Sequence, residues 1–290
     1  MPRLLPLLAP LLALACAPAV PPGVTVSRGD SADGWLEHGV ELPDRGEGFV
    51  RARPGESTRF GTPRLVEALR RAFASVKRTF PATPPMRVGD LSYPRGGRHP
   101  RHGSHRSGRD ADLIFYGTDL EGRPVQGRGW VAYDRFGVGV EPEEHGGRTL
   151  LFDDARNWHF VRTLLLDEDA QVQWIFVSRG VKSRLLRFAA AHEPDEELLV
   201  RAAWVLHQPT GASPHADHFH VRVACGPEQR ALGCRDRGPM WSWWRDEAIK
   251  RVAPHEVPAL DDGQLLQALL GGPPEGERHA RADEPGAAKR

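Results

Sequence analysis

Two short stretches concentrate the residues able to do chemistry. His102-Gly103-Ser104-His105-Arg106-Ser107-Gly108-Arg109-Asp110-Ala111-Asp112 carries two histidines and two aspartates, and His215-Ala216-Asp217-His218-Phe219-His220 follows about a hundred residues later. Imidazole nitrogens and carboxylate oxygens are the usual ligands of a catalytic zinc ion, which takes about three protein ligands and keeps one position open. His105 and Asp112 are seven positions apart, from a glycine-containing loop into the apolar run Leu113-Ile114-Phe115-Tyr116. His218 and His220 are two apart in a β-prone run, so both fall on one face of a strand while Phe219 and Val221 fall on the other. One histidine of that pair can bind a metal while its neighbour stands beside the water to be activated. Each pair alone is common; together they point to one metal ion shared by the two stretches. Asp110 is expected to brace the loop backbone. Ser104 and Ser107 sit in no Gly-x-Ser-x-Gly turn and are read as shaping the loop, not as nucleophiles.

These stretches need a scaffold. At 290 residues, 40% hydrophobic and 27% charged, the chain can bury a sizeable core, and a formal net charge of +1 gives no global field to attract nucleic acid. Thr62 and Pro63 suit the cap and first turn of a helix whose apolar stripe is Leu65, Leu69, Ala72, Phe73 and Val76, ended by Pro81. Strands are expected at 86–93, 110–116, 172–177 and 218–224, with a hairpin pairing 130–133 with 136–140 and a short one around 43–48. Further helices are expected from Asp153 or Asp154 onward, at 180–191, at 195–206 and at 260–269. Trp241, Trp243 and Trp244 are expected to pack on the domain. Helices and strands mix without βα alternation, which predicts an α+β fold: a mainly antiparallel sheet with flanking helices.

The N-terminus reads as an export signal over residues 1–15: Arg3, then the apolar Leu4 to Leu14, then the small-x-small site Ala13-Leu14-Ala15. Cys16 follows at once, so both a lipid anchor on Cys16 and plain secretion stay open. The other two cysteines, Cys225 and Cys234, lie in one short loop and can pair in an oxidising compartment. Residues 16–60 read as a linker with an irregular lead-in, 61–250 as the catalytic domain, and 251–290 as a largely disordered tail.

The pattern His102-x-Ser104-His105-x-Ser107-Gly108-x-Asp110-x-Asp112, with the earlier Gly89-Asp90-Leu91-Ser92 and Gly96-Gly97 and the later His215-x-x-His218-x-His220, resembles the penicillin-insensitive murein endopeptidases. These group with the D-Ala-D-Ala metallopeptidases, the lysostaphin-type enzymes and the hedgehog signalling domain, and the resemblance covers roughly residues 60–245. It implies a hedgehog/D-Ala-D-Ala-peptidase-like fold, with Zn2+ bound by His105, Asp112 and His220. It further implies that His218 assists the water or stabilises the transition state and that His215 is a further active-site residue. His102 matches a second-metal histidine of the family. That site's Asp-x-x-His companion is not clearly present, since Asp154 is followed three later by Asn157. The implied reaction is hydrolysis of the D-alanyl–meso-diaminopimelate cross-link of peptidoglycan in the periplasm or at the outer membrane. The substrate is anionic, so Arg95, Arg98, Arg109 and Arg222 are candidates to hold its carboxylates. The alternatives are a D,D-carboxypeptidase or dipeptidase on the same site, or a non-catalytic zinc-containing murein-binding module.

Overall fold

A computed structural model describes residues 22–244. The expected signal segment, Cys16, the 260–269 helix and the tail from 251 lie outside the described residues.

A seven-stranded sheet runs through the molecule in the order Leu206–His207, Val172–Phe176, His218–Val223, Asp110–Ile114, Met86–Val88, Phe49–Arg51, Arg45–Gly46. Two neighbouring pairs are parallel, Val172–Phe176 with Leu206–His207 and Phe49–Arg51 with Met86–Val88, and the others are antiparallel. The fold is therefore α+β with a mostly antiparallel sheet. A smaller four-stranded sheet, built from Pro124–Val125, Gly117–Thr118, Thr149–Phe152 and Val138–Val140, adjoins it in sequence.

Helix α1 spans Pro63–Thr79 with Thr62 as its cap, Thr62 Oγ1 accepting from the Leu65 amide at 3.4 Å, and it buries the whole expected stripe. Asp153 caps α2, Asp154–Leu166, by accepting from the Arg156 amide at 3.1 Å; this settles which of the two aspartates starts that helix. Ser178 and Asp195 cap α3, Arg179–His192, and α4, Glu196–Val205. A short α5, Pro227–Ala231, follows the last strand.

Strand alternation separates the core from the site. Phe219 points to the helices and stacks at 6.2 Å on Phe160, which continues through Phe73 at 5.7 Å to Phe49 at 5.0 Å. Phe115 meets Phe219 edge-on at 4.6 Å. This aromatic column anchors the last strand on one face, so that His218, His220 and Arg222 emerge on the other.

The structure differs from the sequence reading in several places: the strand expected over 86–93 ends at Val88, and Thr149–Phe152 is a strand where none was expected. Residues 26–61 hold six short strands, two of which, Arg45–Gly46 and Phe49–Arg51, join the central sheet as the short hairpin expected around 43–48; each spans two to four residues, too short to show a period. The expected 130–140 hairpin is reduced to a single Tyr133–Gly139 bridge, because Val138–Val140 pairs with Thr149–Phe152 instead. The tryptophans do pack: Trp241 and Trp244 are buried, and Trp241 Nε1 donates to the Gln173 carbonyl at 3.0 Å. Cys225 and Cys234 form a disulfide.

Candidate active site

The two middle strands of the sheet build the site. In the antiparallel register His220 lies opposite Asp112, Arg222 opposite Asp110, and His218 opposite Ile114. Because side chains alternate, Asp110, Asp112, His218, His220 and Arg222 share one face, and Leu113, Phe219 and Val221 go to the core. The loop before Asp110 brings in His105, whose backbone takes the left-handed conformation at φ 63°. His215 does the same at φ 55° just ahead of the last strand. A non-glycine residue in that region is held there at a cost, and such residues cluster at functional sites.

Three imidazoles converge on one carboxylate oxygen. Asp112 Oδ1 lies 3.2 Å from His105 Nε2, 3.4 Å from His218 Nε2 and 3.5 Å from His220 Nδ1. The outer nitrogen of each ring is claimed by an acceptor. His105 Nδ1 donates to the Leu91 carbonyl at 3.1 Å, His218 Nδ1 to Asp217 Oδ1 at 2.7 Å, and His220 Nε2 to Asp110 Oδ1 at 2.8 Å. A carbonyl or carboxylate can only accept, so those nitrogens carry the protons and the inner nitrogens of neutral rings present bare lone pairs. Lone pairs facing a carboxylate oxygen repel unless a proton or a metal ion lies between them. Consistently, His105 Nε2 and both oxygens of Asp112 are buried without a hydrogen bond. The donor set fits a zinc ion: neutral imidazole nitrogens, one carboxylate and fixed outer partners. His102, His105 and Asp112 each present a ligand atom within 4.8 Å of the other two.

The charges follow from this crowding. Burial pushes the Asp112 carboxyl up, but the His105 and His218 rings more than offset it and hold it well below the usual carboxylate range. Burial pushes His218 down, yet Asp112 and Asp217 raise it to about 9. Burial takes His220 to about 3 despite Asp110, and His215 to about 4. Burial pushes His105 down too, yet Asp112 holds it above the ordinary histidine value, so without a metal His105 and His218 are the rings that favour the proton, while His220 and His215 stay neutral.

A model of the penicillin-insensitive murein endopeptidases matches residues 27–242. The chain belongs to this family. Its substrate is therefore murein and its place of work the cell envelope. A comparison with curated proteins finds no match. No helix among the described residues is long and apolar enough to cross a membrane.

The other residues expected at the site lie around this cluster, with corrections. Arg109 is not a substrate contact: it is 1% exposed and its guanidinium is consumed by Asp236, the Arg235 carbonyl and Ser107. Arg222 is buried too, donating to Asp110 at 2.6 Å with its Cζ 5.1 Å from the Phe176 ring, so it serves as the counter-charge of Asp110. Asp110 in turn braces the His220 and Arg222 side chains instead of the loop backbone. Arg98 is exposed in the loop that carries His99 and His102. His102 Nε2 sits between Asp90 Oδ2, at 3.0 Å, and Asp112 Oδ2, at 3.2 Å. The Asp154/Asn157 pair is engaged elsewhere, Asp154 with Arg184 and Asn157 with the Tyr116 backbone.

Four residues near the site carry no role in the sequence reading. Asp217 orients His218; its position just before the strand is a signal that could have marked it. Asp90 receives Thr58, Arg101 and Arg53 as well as His102. His99 is buried with its ring 4.7 Å from His102 and 5.6 Å from His105. Trp130 stands edge-on to His218 at 5.1 Å.

Proposed function

We propose that the protein is a zinc-dependent endopeptidase that hydrolyses the D-alanyl–meso-diaminopimelate cross-link of peptidoglycan. His105 through Nε2, Asp112 and His220 through Nδ1 are the residues to hold the metal. The observation that carries this reading is the convergence of three imidazoles, each with its outer nitrogen pinned, on the buried Asp112 carboxylate. A zinc ion there would polarise the scissile carbonyl and make water nucleophilic near neutral pH.

The chain's own residues do the rest. His218, protonated and held by Asp217, donates from Nε2 to the carbonyl oxygen as negative charge builds on it. The same proton then passes to the leaving amine, which must be protonated to depart, and the proton given up by the attacking water restores His218 to its charged form. His215, neutral and with a buried Nδ1 that lacks a hydrogen-bond partner, flanks His218 at 5.0 Å and His220 at 5.4 Å and is placed to accept from substrate or water. Asp110 and Arg222 keep His220 in one tautomer. His102, beside Asp112, is the residue through which a second metal would be held. The Cys225–Cys234 disulfide suits a protein exported to the periplasm.

Digestion of purified cross-linked muropeptide dimers tests the reading. Dimers should fall to monomers, chelator should stop the reaction, and zinc should restore it. Turnover confined to pentapeptides ending in D-Ala-D-Ala, with dimers left intact, would replace the endopeptidase by a carboxypeptidase.

A further inference from the structure

We propose that Arg53 holds a substrate carboxylate adjacent to the amide that is cleaved, with Trp130 as the wall between that carboxylate and His218. The inference rests on the murein-peptide reading, since it is the anionic stem peptide that supplies the carboxylate.

Two independent paths on the structure connect Arg53 to the reacting centre. Through polar contacts, Arg53 Nη1 reaches Asp90 Oδ2 at 3.1 Å, Asp90 Oδ2 reaches His102 Nε2 at 3.0 Å, and His102 Nε2 reaches Asp112 Oδ2 at 3.2 Å. Through the indole, Arg53 Cζ lies 5.4 Å from the Trp130 ring centre, and that ring meets His218 edge-on at 5.1 Å. Arg53 and His218 thus border the same indole. A substrate lying along it would present a carboxylate to the guanidinium and the neighbouring amide carbonyl to the imidazole.

The wall is fixed in place. A Cβ at Gly89 would stand 2.6 Å from Trp130 Cη2 and 3.1 Å from the Asp112 Cβ, so Gly89 is what lets the indole close against the site. Arg53 follows the strand Phe49–Arg51, which pairs in parallel with Met86–Val88, and the Ala52 amide continues that pairing to the Val88 carbonyl at 2.7 Å. The sheet therefore delivers Arg53 and Asp90 side by side. Arg51, two residues earlier, is buried and spends its guanidinium on the Gly89 and Thr58 carbonyls.

Arg53 has donors to spare. Its side chain is 29% exposed and makes one hydrogen bond among the described residues, to Asp90. Asp90 does not depend on it, because Thr58 Oγ1 at 2.7 Å, Arg101 Nε and Nη2 at 2.8 Å, and His102 also bind that carboxylate. Arg53 and Arg101 both meet Asp90, and Arg101 also meets Glu56, while Arg87 is spent on the Gly127 and Gly129 carbonyls. Glu141, the next acid towards Arg87, is engaged by Arg148. The donors that Arg53 leaves unused can meet a carboxylate with two parallel N–H bonds.

The test uses metal-loaded wild type, Arg53→Met and Arg53→Lys on two muropeptide dimers, one with the carboxylate beside the cleaved amide free and one with it as a carboxamide. R53M should lower kcat/KM on the free acid roughly 10–100-fold, mainly through KM, with R53K between. On the carboxamide, wild type and R53M should be indistinguishable, and both should melt at the wild-type temperature. Equal loss on both dimers would make Arg53 a brace for Asp90 and overturn the proposal, as would no loss on either. Wild type that cuts neither dimer would reject the endopeptidase reading itself. Binding of the uncleaved monomers then still decides: a preference for the free acid that R53M abolishes supports the subsite, and its absence removes it.

Discussion

His220 Nε2 and Asp110 Oδ1 lie 2.8 Å apart across neighbouring strands, and this bond decides which nitrogen of His220 faces Asp112. Asp110 only accepts, so Nε2 keeps the proton and Nδ1 is left bare towards the site. Arg222, at 2.6 Å from the same oxygen, keeps Asp110 ionised although it is fully buried. Metal affinity in this protein should therefore depend on a residue that is not itself a ligand.

Asp110→Asn tests that dependence. The amide preserves shape but removes the charge that fixes the His220 tautomer and balances Arg222. Zinc affinity, measured by competition with a chromophoric chelator, should fall roughly 10–100-fold. Stability should fall by about 3–5 kcal/mol in chemical denaturation, since Arg222 is left as an unpaired buried charge. Wild-type zinc affinity in a folded D110N protein would exclude the tautomer role.

His218 and Asp217 separate catalysis from metal binding. His218→Ala should retain metal while turnover drops about 10²–10⁴-fold. Asp217→Asn removes one of the two carboxylates that lift His218 to about 9, so the alkaline limb of the kcat/KM profile should move to lower pH. An unshifted limb would mean that His218 does not set it.

Much of this was legible in the sequence, for reasons visible in particular residues. Helix α1 shows a strong period and an unambiguous cap in Thr62 and Pro63. The His218–Val223 strand shows period two, which puts His218 and His220 on one face, whereas the partnership of Asp112 with His220 came from the family resemblance. The arginines were not legible. Arg109 and Arg222 look like surface cations, but their partners Asp236 and Asp110 lie 127 and 112 residues away. Arg53 meets Asp90 across 37 residues, through a strand of only three residues that gives no pattern. Helices and long strands declare themselves locally, whereas charge pairing is decided by the fold.

Acid should destabilise the metal-free protein. Burial holds His220 at about 3, and His99 and His215 at about 4, against an ordinary value of 6.5. Below pH 6.5 the unfolded chain takes up protons that the folded chain refuses, so stability falls as pH drops, down to about pH 4. His105 and His218 have the opposite sign: both are raised, so their contribution is full below 6.5 and is lost as pH rises, that of His218 through about 9. Melting in the presence of chelator should peak near neutrality and decline on both sides. A melting temperature that rises steadily towards acid pH would contradict the buried neutral rings.

The disulfide should matter for stability more than for chemistry. Cys225 and Cys234 are nine positions apart, and the Gly29 amide and carbonyl reach the adjoining turn at Gly233 and Arg235. Closing so short a loop restricts the unfolded chain by about 2–3 kcal/mol. The Cys225→Ser, Cys234→Ser double variant should lose about that much in chemical denaturation while kcat on muropeptide dimers stays within about twofold. A large loss of kcat at unchanged stability would show instead that the loop shapes the site.

The most direct test strips the wild-type protein of metal and titrates zinc back while following a defined cross-linked dimer by mass. Cleavage should be absent at zero zinc, rise in proportion to it and level off at one ion per chain, giving only monomers cut at the D-alanyl–diaminopimelate bond. Full cleavage by the stripped protein, or one bound zinc with intact dimers, would contradict the account.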